Sequence, residues 1–127
     1  MSEPAFLSVE EVELLHHAAI ERFGGLHGLR DRGLLESAVA QPQHVFFYGP
    51  GDLFEAAAGY AFHIGENQPF LDGNKRTAVA AAITFLRCNG INTEFDSLPL
   101  YETMIAIAEK RTSRSGFASL LRRLAQT

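Results

Sequence analysis

Two stretches constrain this chain more than any others: Leu53–Glu66 (LFEAAAGYAFHIGE) and Lys75–Cys88 (KRTAVAAAITFLRC). Each carries small and apolar residues around nearly its whole helical circumference, so neither can lie on a surface as an amphipathic helix. Both must be buried by other elements, and 127 residues are enough to build one core around them. Candidate neighbours are present on both sides. Ser8-Val9-Glu10-Glu11 forms a capping box, and Val9, Val12, Leu15, Ala19 and Ile20 follow at helical spacing up to Gly24-Gly25. After the turn-like GGLHG, Asp31 caps a short helix through Leu34, Leu35, Ala38 and Val39 that is expected to end before Pro42. Asp52 caps the first buried run and Asn89-Gly90 ends the second. Leu100, Met104, Ile105, Ile107 and Ala108 predict another helix. Phe117, Leu120, Leu121 and Leu124 predict a last one, capped near Ser113 or Ser115. QHVFFYGPG is rich in β-formers, lies between Pro42 and Gly49-Pro50-Gly51, and reads as an extended flap or small hairpin. The expected fold is mainly α: a single domain over residues 1–127, a bundle of about six helices with that short flap.

The two buried runs are joined through QPFLDGNKRT, residues 68–77, which crowds a carboxylate, a glycine, an amide and two cations in front of an apolar helix. A helix N-terminus offers unpaired N–H groups and the positive end of the helix dipole, so it is a natural anion site. Gly73 lets a phosphate approach the backbone, Asn74 offers amide donors, and Lys75 and Arg76 add cations, Arg76 with bidentate geometry. Asp72 would repel phosphate unless a Mg²⁺ ion lay between them, the usual arrangement around a nucleoside triphosphate. The same string also reads as a turn and helix cap followed by a solvated Lys-Arg pair.

Together with GGLHGLRDRGLLESAVAQPQ and the aromatic segment after it, PFLDGNKRTAVAAAITFLRCNG resembles the death-on-curing (Doc) toxins of the Fic superfamily, over nearly the whole chain. The resemblance implies a mainly helical Fic fold, ATP and Mg²⁺ as cosubstrates, and a Phd-type antitoxin. Fic adenylyltransferases read H-P-F-x-x-G-N-G-R-x-x-R and transfer AMP to a hydroxyl. Here Lys75 replaces the second glycine and Val79 the last arginine, which disfavours the adenylylation pose. The Doc-like pattern implies instead transfer of the γ-phosphate to a threonine of elongation factor Tu, blocking translation. On that resemblance Asp72 carries Mg²⁺, and Gly73, Asn74, Lys75 and Arg76 hold phosphates. AMP transfer, or a non-catalytic module that binds nucleotide or antitoxin, remain the alternatives.

The family pattern places a histidine general base immediately before Pro69, where this chain has Gln68. An amide cannot take a proton near neutral pH, and loss of a positioned base costs about 10² to 10⁴ in rate. His63 and Glu66 would sit about 140° and 160° round a continuous helix from position 68, so neither replaces it. Three origins fit this pattern: a natural family member that has lost or altered its chemistry, a deliberate inactivation, or a spontaneous change selected because the active toxin kills its host. With the phosphate donors intact, an inactivated toxin is the expected one. No inhibitory Ser/Thr-x-x-x-Glu signature precedes the motif, so a separate antitoxin is the expected brake, its disordered tail folding as a helix into an apolar groove.

Other features are expected to be structural or solvated. His16-His17 lack the i,i+4 spacing useful to a metal, Cys88 reads as a core residue, and Arg111, Arg114, Arg122 and Arg123 read as a solvated basic face. A net charge of −4 disfavours direct nucleic-acid binding. A single cysteine, no signal-peptide pattern and no long apolar run point to the cytoplasm and away from membranes.

Overall fold

The computed structural model describes residues 3–49 and 51–126, and among these it contains six helices and no strand. They are α1 (Val9–Phe23), α2 (Arg32–Tyr48), α3 (Leu53–Asn67), α4 (Asn74–Cys88), α5 (Leu98–Ala108) and α6 (Arg114–Ala125). The mainly α, six-helix expectation holds. Helix α3 is the axis of the bundle and packs against α2, α4, α5 and α6, while α1 lies against α4 and α2. Ala56, Ala57, Ala58, Tyr60, Ala61 and Ile64 of α3 and Ala78, Val79, Ala81, Ala82, Phe85 and Leu86 of α4 are all buried. Small side chains over both helices let the two backbones approach closely, which is what their all-round apolar composition required.

The capping chemistry read from the sequence is in place. The Ser8 and Glu11 side chains close a reciprocal box on α1. Asp31 accepts from the Leu34 N–H, Asp52 from those of Phe54 and Glu55, and Ser113 from that of Gly116. Tyr60, buried at the centre, accepts a 2.7 Å hydrogen bond from the Leu7 N–H and so ties the segment before α1 to α3.

The flap expected at residues 43–51 does not exist over its described part. Helix α2 runs straight through Pro42 to Tyr48, with Pro50 outside the described residues. A proline inside a helix removes one hydrogen bond and clashes with the preceding turn. Here packing overrides that cost. Leu35, Ala38, Val39 and Pro42 form one buried face, and Val45 and Phe46 continue it at the same spacing. Pro42 and Val45 sit on Gly59 of α3, where a Cβ would lie 3.3 Å from the Pro42 Cα and 3.6 Å from the Val45 Cγ2. The β-forming composition of VFFY is outweighed by this helical periodicity. The extended segment lies instead between α1 and α2, where Arg30 and Asp31 N–H groups donate to the Pro69 carbonyl (2.7 and 3.1 Å) and the Leu71 N–H donates to that of Gly28 (3.1 Å). Leu29 and Phe70 form an isolated antiparallel bridge within it.

Cys88 is exposed, contrary to the expectation of a core residue. The buried stripe of α4 passes through Phe85 to position 89. There the Asn89 side chain donates to the Phe85 and Ala5 carbonyls (2.8 and 3.1 Å) and accepts from the Ala5 N–H (2.7 Å).

Candidate phosphate-binding site at the start of helix α4

The loop between α3 and α4 is held by contacts that leave one end of α4 open. Gly73, in the left-handed region at φ 75°, is the N-cap of α4, and no side chain caps the helix. Its first-turn N–H groups therefore have no side-chain acceptor. A Cβ on Gly73 would meet Ile20 Cδ1 at 3.0 Å, so both conformation and space call for glycine. Asn74, instead of capping, brackets the loop: its Oδ1 accepts from the Phe70 N–H and its Nδ2 donates to the Phe70 carbonyl, both at 3.0 Å. The Asn74 side chain is thus engaged within the loop, and the donor it leaves at the start of α4 is its backbone N–H.

Asp72 is anchored at three points. Oδ1 accepts from the Gly73 N–H (2.8 Å), Oδ2 accepts from the Leu26 N–H (3.2 Å), and the carbonyl pairs with His16 Nε2 at 2.8 Å. Gly25 makes room for this, since a Cβ there would fall 2.7 Å from Oδ2. A carbonyl only accepts, so the His16 proton is assigned to Nε2. The His16 ring lies flat on Phe70, with centroids 3.8 Å apart and planes 4° from parallel. Burial pulls the His16 pKa below its ordinary value, with the bond to Asp72 opposing that shift. His16 is thus a neutral strut beneath the loop.

Gln68 ends α3 in the left-handed region at φ 45° and ψ 59°, uncommon for a non-glycine residue. Its N–H donates to the Ile64 carbonyl (3.0 Å), and its own carbonyl accepts from Arg30 Nε (2.8 Å) while Arg30 Nη2 reaches that of Asn67 (2.7 Å). One backbone bond and a two-pronged guanidinium clamp therefore fix position 68, and its side chain is exposed with no hydrogen bond among the described residues. His63, half-buried and with its pKa lowered by burial, faces Arg114 and Glu66 and makes no bond to Gln68.

Gln68, Asp72, Gly73, Asn74, Lys75 and Arg76, all six residues singled out in the sequence, line one polar cavity of about 480 Å³ together with Gly65 and Leu71. A larger, mostly apolar cavity of about 640 Å³ lies between α1 and the extended loop, lined by residues that include His16, His27, Leu29 and Phe70, and shares no lining residue with the first. Asp72 is the one carboxylate of the polar cavity, and no cluster of three or more metal-ligating side chains occurs among the described residues. That donor set suits Mg²⁺, which takes one or two carboxylates and completes its shell with substrate phosphates and water. It does not suit an all-protein metal cage.

Sequence reasoning missed His16, Arg30 and the Gly25–Leu26 backbone as supports of the loop. Position 16 was legible in part: Val12, His16 and Ile20 form one buried i,i+4 stripe. The Arg30 clamp joins segments 37 and 38 residues apart and leaves no local pattern.

Residues 6–86 match the Fic/DOC family. The chain is 40% identical over 119 residues to Protein kinase doc of Escherichia phage P1, covering 93% of this chain and 94% of that protein. It is 46% identical over 77 residues to Toxin Doc of Mycolicibacterium smegmatis (strain ATCC 700084 / mc(2)155), 58% of each chain. With a family match across most of its helices and a relative aligned nearly end to end, the chain belongs to the Fic/DOC family.

Proposed function

We propose that this chain is a Doc-like toxin whose α4 cavity binds ATP with Mg²⁺ and is built to move the γ-phosphate to a threonine of elongation factor Tu, with Gln68 standing where the general base belongs. The observation that carries this reading is the uncapped α4 N-terminus, with Lys75, Arg76 and Asp72 lining the same cavity. The relatives' names, a protein kinase and a toxin, support phosphoryl transfer and toxicity.

Phosphoryl transfer asks a protein mainly for positioning and charge stabilisation. In this account the first-turn N–H groups of α4 and the Lys75 and Arg76 cations hold the phosphate oxygens, and Asp72 holds Mg²⁺. Bound at Asp72, the metal would supply neutralisation of the phosphate charge. Gln68 can orient an incoming hydroxyl through its amide, but it cannot remove the proton. The phosphate-holding parts are complete and the proton acceptor is lacking, which makes the chain a nucleotide-binding protein with its transfer step slowed by about 10² to 10⁴. A Phd-type antitoxin is the proposed restraint and the cytoplasm the proposed site of action; no helix among the described residues is long and apolar enough to cross a membrane.

Induced expression tests the toxin reading. The Gln68→His protein should arrest bacterial growth, co-expression of a Phd-type antitoxin should relieve the arrest, and the chain as it stands should be tolerated. Equal growth with both proteins at equal soluble yield would contradict it.

A further inference from the structure

Arg76 is the one arginine lining the cavity, and it projects from the first turn of α4, where the helix dipole disfavours a cation. Among the described residues no ion pair joins Arg76 to a carboxylate, and none joins Asp72 to Arg76 or Lys75. What the guanidinium does touch is an aromatic ring: its Cζ lies 4.5 Å from the centroid of Phe23, the last residue of α1. Arg22 reaches the same ring at 5.2 Å. Phe23 is 52% exposed, so the core does not explain a phenyl ring at this place. A ring quadrupole attracts a cation without neutralising its charge and leaves its N–H donors open, which a carboxylate would not do.

We propose that Phe23 is a positioning residue that holds the Arg76 guanidinium at the cavity and keeps it from closing onto Asp72, so that the cation stays available to phosphate and the carboxylate to Mg²⁺. This rests on the phosphate-site reading above. Phe23 touches neither ligand in this account and acts only through Arg76.

The test is calorimetric titration of the full chain with ATP in the presence of Mg²⁺. A cation–π contact at an exposed site is worth a factor of roughly two to five in affinity, so Phe23→Leu should raise Kd by that amount and Phe23→Tyr should restore it. Arg76→Ala should weaken binding about tenfold or more, and adding Phe23→Leu to it should change nothing further. In a Gln68→His background the Phe23→Leu loss should appear in KM for ATP and leave kcat unchanged. A Phe23→Leu protein that binds as the parent does, or that loses the same factor with and without Arg76, would overturn the inference while the site reading stands. An Arg76→Ala protein with unaltered affinity would overturn the site reading and the inference with it.

Discussion

Position 68 concentrates the conflict between backbone and chemistry at one residue. A left-handed conformation costs an ordinary L-residue about 1–2 kcal/mol, and glycine escapes that cost at the expense of a more disordered unfolded chain. Gln68→Gly should therefore stabilise the fold by about 0.5–1 kcal/mol, read as a higher urea midpoint at unchanged slope. A lower midpoint would show that Gln68 is not strained. Histidine is among the residues enriched in left-handed backbone, so Gln68→His should leave the midpoint nearly unmoved. The backbone around the site thus suits a histidine at least as well as the glutamine it holds. His16 supports the same loop from below. His16→Ala removes a buried stacked ring and a hydrogen bond and should cost about 2–4 kcal/mol, whereas Gln, which retains an N–H donor, should recover part of it. Of these residues the sequence displayed the motif itself, because its chemistry is contiguous. Struts such as His16 and Arg30 came only from the fold, because they meet the motif across long chain separations.

Among the elements, α2 shows how packing decides a boundary that local rules place elsewhere. Pro42, the aromatic run and the glycines after it all argue for a break, yet the helix continues because its buried face has Gly59 of α3 to rest on. Gly59→Ala adds a methyl against the Pro42 backbone, and overpacking of 1–3 kcal/mol should exceed the roughly 1 kcal/mol gained in helix propensity. A net loss of about 1 kcal/mol in thermal or urea unfolding is expected. Gly65→Ala should cost less, since the atom it meets is the far end of the Met104 side chain. Equal costs would mean that the α2–α3 contact is softer than its geometry indicates. The helix caps were legible because each is set by a side chain within three residues of the N–H it serves. The extended segment was not, because what makes GGLHGLR extended is its pairing to Pro69 and Leu71.

At the scale of the whole molecule, two histidines link stability to acidity. Burial lowers the pKa of both His16 and His63 below 6.5 in the folded chain. The unfolded chain then binds protons at a higher pH than the folded one, so this contribution is present above about pH 6.5 and is lost as the pH falls through the folded values. The unfolding free energy should decline between pH 7 and pH 5, and His16→Gln should make that decline shallower; an identical pH profile would remove His16 as a cause. The mainly α class and the buried α3–α4 pair were readable from composition alone, since no other arrangement hides two helices that are apolar all round.

The most direct test of the central claim, that the α4 cavity is a phosphoryl-transfer site lacking only its base, is label transfer from ATP to elongation factor Tu by the Gln68→His protein. ATP labelled at the γ or the α phosphate would be supplied in separate reactions, with the chain as it stands run alongside. The account predicts transfer of the γ label alone, on threonine, with the unaltered chain slower by about 10² to 10⁴. Transfer of the α label would identify AMP transfer instead, and transfer of neither label would contradict the account for this target.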